Sequence, residues 1–441
     1  MHVFLEKARD RVEQAEVYHL QRKVLPVQFD PDGLSVIKTK QIEGVALRAI
    51  CEGRLGYSTS TDLAHPEAIV DAAVATAAYG DPTEVQFPGG IIEPLAGLHS
   101  PATEALSAEQ LVELGEAIQQ RIAVEGDDLE IGVSLQKTVE HVRVANTNGL
   151  DAEETRSSVE VGIEATRAKS GDIFTVDDSH QLRNFSDINV DRVTQRVRRL
   201  LSLGRDVVSS PSGSLPVVFT PSGTLALLLP LIMGLSGKSV LLKLSPLAEK
   251  LGQALFDPRF NLIDDGRCVA GASAGSFDDE GVPTRRTPLI EDGQLRAFYY
   301  DLRAAQQAGV PSTGNGYKGG LMGGSNFRPT PSASISSLLV GTGIASEAEL
   351  IGGIKHGLLV DGVLGLGQGN LNAGDFSNNV AAAFVIQDGK IAGRVKNVML
   401  AGNSYDLLRD HLIGLGDKAE WVYGKVLCPA IAVNNVSVTA K

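Results

Sequence analysis

Residues 215–237 read LPVVFTPSGTLALLLPLIMGLSG. A short β-branched and aromatic run, Pro216 to Phe219, passes through a Thr-Pro-Ser-Gly turn into a stretch with no polar side chain from Leu225 to Leu235. The pattern predicts a strand followed at once by a helix from about Pro221 to Gly234. With no hydrophilic face, that helix is expected to be buried and free of metal. Leu225 to Leu235 is only about half of the roughly 20 residues that cross a bilayer, so a core helix is expected, not a membrane span.

On its N-terminal side lies Ser209-Ser-Pro-Ser-Gly-Ser-Leu-Pro216, a linker-like segment. Further upstream, Asp187 to Leu203 places Val190, Val193, Val197, Leu200 and Leu201 on one helical side and Arg192, Arg196 and Arg199 on the other, an arginine stripe expected to be solvated. Glu130 to Val144 and Ser157 to Ala168 alternate apolar and polar residues around Asn148-Gly149, as two hairpin strands sharing one solvated face would. Ser107-Ala-Glu-Gln110 is a capping box opening a helix that ends near Gly126. The first 80 residues offer an amphipathic start, strand-like runs at Ala15–Leu20, Leu34–Thr39, Gly44–Cys51 and Arg54–Thr59, and an alanine-rich helix from Pro66 to Tyr79. Downstream of the opening stretch come a second expected helix, Pro246 to Phe256, and many short strands with glycine turns. The expected fold class is α+β: several antiparallel sheets with packed helices. An N-terminal unit (1–85) and a middle unit (105–209) precede a larger β-rich C-terminal unit (215–441).

Apolar residues make up 43% of the 441 and charged residues 21%, an ordinary globular balance. The formal charge of -13 repels phosphate backbones, so nucleic acid is not an expected partner. Cys51, Cys268 and Cys428 lie far apart with no CxxC pair. Together with an N-terminus that turns charged at once, this fits a cytoplasmic protein with no membrane attachment.

Three motifs are weak. Gly271-Ala-Ser-Ala-Gly275 matches G-x-S-x-G, but Ser276-Phe-Asp-Asp-Glu-Gly-Val-Pro follows where a nucleophile elbow needs a helix. Gly341-Thr-Gly precedes Ser346-Glu-Ala-Glu349, a capping box that needs no ligand. Gly365-Leu-Gly-Gln-Gly-Asn370 has no helix signal after it, so tight turns are expected. No two of the eight histidines have the spacing of a helical zinc motif.

Taken in order, Leu215-Pro-Val-Val-Phe-Thr-Pro-Ser-Gly223, Gly281-Val-Pro-Thr-Arg-Arg-Thr-Pro-Leu-Ile-Glu-Asp-Gly293, Ser312-Thr-Gly-Asn315, Lys355-His-Gly-Leu-Leu-Val360, Gly367-Gln-Gly-Asn370, Gly374-Asp-Phe-Ser377 and Val398-Met-Leu-Ala-Gly-Asn403 resemble the TldD/PmbA (modulator of gyrase) peptidase family. In its catalytic branch, a helix carrying His-Glu-x-x-x-His binds zinc with a cysteine from the C-terminal unit, and the glutamate acts as base. Aligned by Gly234-Leu-Ser-Gly237, the histidine positions fall on Leu228 and Met233 and the glutamate position on Leu229. The glycine-rich stretch from Gly365 to Gly374 has no cysteine. The resemblance therefore implies the PmbA/TldE-like branch, a subunit without catalytic or metal-binding residues. Zinc is expected on a TldD-type partner in a heterodimer acting on peptides or unfolded segments. An independent peptidase with an unrecognised metal site and a homodimeric peptide-binding scaffold are the alternatives. Arg285, Arg286, Asn315, Gln368 and Asp375, in the family-like segments, are the expected substrate-facing residues, unless the arginines pair with Asp278, Asp279 or Glu280.

Overall fold

Along residues 15–29, odd positions (Ala15, Val17, Leu25, Val27, Phe29) are buried on one side of a single strand and even positions (Tyr18, Leu20, Val24) on the other. Both faces of the sheet that contains this strand are therefore covered, which explains why its sequence lacks a clean alternation. In the computed structural model, which describes residues 1–169, 171–320 and 326–440, this is strand β1 (Gln14–Asp30). It is followed by β2 (Gly33–Ile37), β3 (Lys40–Cys51), β4 (Arg54–Ser60), β5 (Leu129–Asn146), β6 (Asp151–Lys169) and β7 (Asp172–Leu182). The sheet order is β4-β3-β1-β5-β6-β7, with β2 paired to β1. The N-terminal and middle segments thus share one antiparallel sheet, joined by the β1–β5 ladder from Glu16↔Asn146 to Phe29↔Val133. At the β5–β6 hairpin, Asn146 Oδ1 accepts from the backbone N–H groups of Asn148 (2.9 Å) and Leu150 (3.3 Å), and Gly149 takes the left-handed φ of +91° that the turn needs.

Helices cover the odd face. α1 (His2–Ala8) and α2 (Pro66–Ala77) pack Phe4, Leu5, Ile69 and Val70 on Val17, Val45 and Leu47. α3 (Pro101–Ala105), α4 (Ala108–Ala123) and α5 (Val190–Leu203) cover the other end. The capping box at the start of α4 forms as the sequence predicts, with Ser107 and Gln110 bonding each other's backbone. The core beneath α4 and α5 continues onto Val218, Leu359 and Phe384 of the C-terminal unit.

That unit is built on a ring. Strands Gly213–Phe219, His356–Leu364, Asp375–Gln387, Val398–Asn403 and Val426–Ala440 pair in succession, and the last returns to pair antiparallel with the first. Its core gathers around α6 (Leu225–Leu235). Among the described residues, no helix is long and apolar enough to cross a membrane.

Two expectations fail. Pro246–Phe256 is a chain of turns, because Gly252 takes a φ of +83° and residues 252–256 bond the backbone of Gly293 and Leu295. The arginine stripe of α5 is not uniformly solvated. Arg196 is sunk between the two sheets, bonding Asp178 of β7 and Asp361 of the ring at 2.7 Å each, while Arg199 pairs with Glu347.

Candidate functional site

The strand Gly213–Phe219 delivers the chain to α6 through a turn held by its own hydroxyls. Thr220 Oγ1 donates to Asp361 (2.8 Å) and accepts from the Gly223 N–H, and Thr224 Oγ1 donates to the Thr220 carbonyl. A Cβ on Gly223 would lie 2.2 Å from the Val360 carbonyl oxygen, so only glycine lets the turn sit this close to the neighbouring strand. Residues 221–224 form this turn and the helix begins at Leu225.

Leu228 is fully buried in the ring core, as its sequence predicts. Its neighbours correct the expectation of burial all round: Leu229 is half-buried and Met233 is 39% exposed. One turn apart, these two form an outward apolar edge, with the glycine-rich segment beside it. A Cβ placed on Gly367 would come within 3.8 Å of Leu229 Cδ2. That segment is made of tight turns, with Gly365, Gly367, Gly369 and Gly374 all at positive φ, and it is pinned by Asn378, which donates to the Gly365 carbonyl at 2.7 Å. Zinc does not fit the three positions set against the family motif. Leu228 and Leu229 offer hydrocarbon and Met233 a thioether, where a tetrahedral site needs imidazole, carboxylate or thiolate. Cys428, near the start of the helix, is buried against the Pro221 carbonyl at 3.2 Å, and burial pushes its thiol far up, away from the thiolate that binds metal.

The expected substrate-facing residues do not converge. Gln368 and Asp375 are exposed on the glycine-rich segment, where Asp375 accepts from Asn403 Nδ2 at 2.8 Å. Arg285 and Arg286 are exposed elsewhere in the unit. Arg285 donates to the Thr313 carbonyl and Arg286 lies 3.9 Å from Asp265. Asn315 is 1% exposed, and its amide nitrogen bonds Asp264 (2.6 Å) and the Ser334 carbonyl (2.9 Å). The Gly271–Gly275 loop has no helix after it, as expected, and Arg183 holds it through the carbonyls of Gly271, Ala272 and Ala274.

Among the described residues, Arg285 and Arg286 form no ion pair with Asp278, Asp279 or Glu280. These three acids are buried and directed inward. Asp278 accepts the N–H groups of Glu280, Val282 and Gly316, and Asp279 accepts that of Lys318. Glu280 bonds Arg48 at 2.5 Å, and Arg48 also grips both oxygens of Glu16 at 2.9 Å. Burial lifts the Glu16 carboxyl to about 7 against the pull of Arg48, and burial, helped by Glu280, holds the Asp278 carboxyl well above its usual range. Lys318, enclosed among Tyr57, Tyr18 and the Pro329 carbonyl, is pulled down to about 8 by desolvation. This hub was hidden in the sequence: an Asp-Asp-Glu run before Gly-Val-Pro has the composition of a surface turn.

Comparison with known proteins gives the class first. Three family models match in chain order: PmbA/TldA metallopeptidase domain 1 over residues 15–77, the central domain over 101–205 and the C-terminal domain over 212–440. The chain belongs to the PmbA/TldA metallopeptidase family. An uncharacterized protein of Methanocaldococcus jannaschii is 26% identical over 93% of both chains. A metalloprotease TldD homolog of Haemophilus influenzae is 24% identical over 87% of this chain and 81% of its own. Metalloprotease PmbA of Escherichia coli O157:H7 is 28% identical over 49% and 45%. The crystal structure of TldE from Thermococcus kodakarensis matches across the whole of both chains with a TM-score of 0.89 at 23% identity. A putative modulator of a DNA gyrase from Thermotoga maritima matches over 99% of each with a TM-score of 0.88 at 22% identity. At such identities the structural likeness speaks for the fold.

Proposed function

We propose that this chain is the non-catalytic subunit of a two-chain zinc peptidase of the TldD/TldE type, acting in the cytoplasm on peptides and unfolded segments. A TldD-type partner would hold the zinc. The observation that carries the reading is the helix at the motif position, with Leu228 inside the ring core and Leu229 and Met233 forming an apolar edge that has no acid, base or metal donor. In such a complex this chain would bind and shape: exposed sheet edges can pair with extended peptide backbone whatever its side chains. The exposed Arg285, Arg286, Gln368 and Asp375 are the side chains available to a bound segment. Asn315 would act from beneath, by fixing the 312–316 turn.

The test is a peptide digest with this chain alone, a TldD-type subunit alone, and both together. Cleavage is expected where the partner is present, strongest with both chains, and abolished by chelators. Chelator-sensitive cleavage by this chain alone would overturn the reading, because no group on α6 can activate a metal-bound water.

A further inference from the structure

The even face of the seven-stranded sheet is not uniformly packed. Toward β3 it is sealed by Tyr18, Leu20, Val142 and Val144 against Leu150, Phe277 and Phe327. Toward β7 a cavity of about 470 Å³ opens between the sheet and the C-terminal unit, within the range of small-molecule sites. Its floor is polar by strand register: Glu140 faces Arg22 and Arg156 across the ladders, and Glu160 lies between Gln136 and Gln181. Its roof includes Tyr317 and the turn that carries Lys425.

Most charges here are already matched. Arg22 bonds Glu140 at 3.1 Å, Arg156 pairs with Glu154, and Arg183 spends its donors on loop carbonyls. Three groups are not. Glu160 has no hydrogen-bond or ion-pair partner among the described residues, and burial raises its carboxyl. Lys425 donates to the Gly320 carbonyl (2.8 Å) and forms no ion pair among the described residues, and burial lowers its ammonium against the weaker pull of Asp279 and Asp264. The Tyr317 hydroxyl, three residues before Gly320, is buried without a partner. Fully buried polar groups in native proteins are nearly always satisfied, so the orphaned Tyr317 hydroxyl, on a cavity that also holds a half-buried acid and a half-buried base with no ion pair among the described residues, points to something that enters it. Glu160 and Lys425 also lie within a short span. The strand neighbour of Glu160 is Gln181, and Gln181 packs on Gly424, next to Lys425.

We propose that this cavity binds a small zwitterion of the amino-acid or short-peptide class, with the ligand carboxylate on Lys425 Nζ and Tyr317 Oη and its ammonium on Glu160. A chain reaches at most about 3.5 Å per residue, so ligands of one, two and three residues set their terminal charges at successively wider separations. This site lies on the chain itself and does not depend on which subunit holds zinc.

Calorimetric titration of the isolated chain with alanine, dialanine and trialanine tests it without partner or metal, so a failed digest and a failed titration are separate results. At least one of the three is expected to bind, the best binder identifying the length. N-acetylation or C-amidation of that ligand should each weaken binding by about tenfold or more, the loss of one charge-assisted hydrogen bond. Acetylation should lose its effect in Glu160→Gln, and amidation in Lys425→Met, with thermal unfolding confirming that both variants fold. No heat from any of the three at millimolar concentration, affinity indifferent to end-blocking, or penalties unchanged in both variants would each overturn the proposal.

Discussion

Leu228 and Leu229 are adjacent in sequence but differ in what they touch, and stability should separate them. Leu228 lies wholly inside the ring core, so Leu228→Ala should cost about 2–5 kcal/mol. Leu229 is half-buried beside Gly367, where a longer side chain can turn toward water, so Leu229→Glu should cost less, under about 2 kcal/mol. Urea denaturation of the two variants checks this, and equal losses would mean that α6 is turned differently about its axis. The all-apolar sequence could not make this distinction. It gives the helix no polar side to point outward, and which side faces the glycine-rich segment is decided by strands more than a hundred residues downstream. The same holds for Glu280, which meets Arg48 from a distant strand, and for Asp278 and Asp279, which accept the backbone N–H groups of Gly316 and Lys318, 38 and 39 residues on.

At the level of elements, local signals were legible wherever a local interaction determines the structure. Both capping boxes, Ser107 with Gln110 and Ser346 with Glu349, form as read, and Asn148-Gly149 closes the expected hairpin. What could not be read was what lies against a polar face. The alternation in β5 and β6 correctly marks two faces, but the polar one is solvated only in part: Ser134 and Glu164 are exposed, while Glu140 and Arg156 are buried at a cavity beneath the C-terminal unit. Alternation reports that a side chain has polar company and is silent on whether that company is solvent or protein. Arg196 failed for the same reason, since its carboxylates come from β7 and from the ring. Pro246–Phe256 failed because pairing with residues 293–295 outweighs a weak helical propensity.

Across the whole molecule, arginines fasten the sheet to the C-terminal unit: Arg48 joins Glu16 to Glu280, Arg196 joins Asp178 to Asp361, and Arg394 reaches Asp172. The first clasp should be sensitive to pH. With its carboxyl raised from 4.5 to about 7 on folding, Glu16 holds a proton more tightly in the folded state, so across that interval the folded chain binds more protons than the unfolded one. Its contribution to stability therefore falls as pH rises through the interval. Glu16→Gln should flatten this decline: denaturation midpoints at about pH 5 and about pH 8 should converge in the variant relative to the unsubstituted chain. A slope unchanged by the substitution would show that Glu16 stays ionised throughout.

The ring has a consequence for how the chain is made. Gly213 pairs with Val438, so the strand bearing Val217, Val218 and Phe219, with the apolar α6 behind it, leaves the ribosome long before the partner that closes it. At about 5–20 residues per second that interval is roughly 10–45 seconds, during which one of the most apolar stretches of the molecule has an unpaired edge. Nascent chains stalled with residues 240–420 exposed should be cut by protease within 215–235 and should recruit hydrophobic-binding chaperones. Chains released after residue 440 should resist cutting there. The β1–β7 sheet has no such dependence for its ladders, since all its strands are present once Leu182 has emerged.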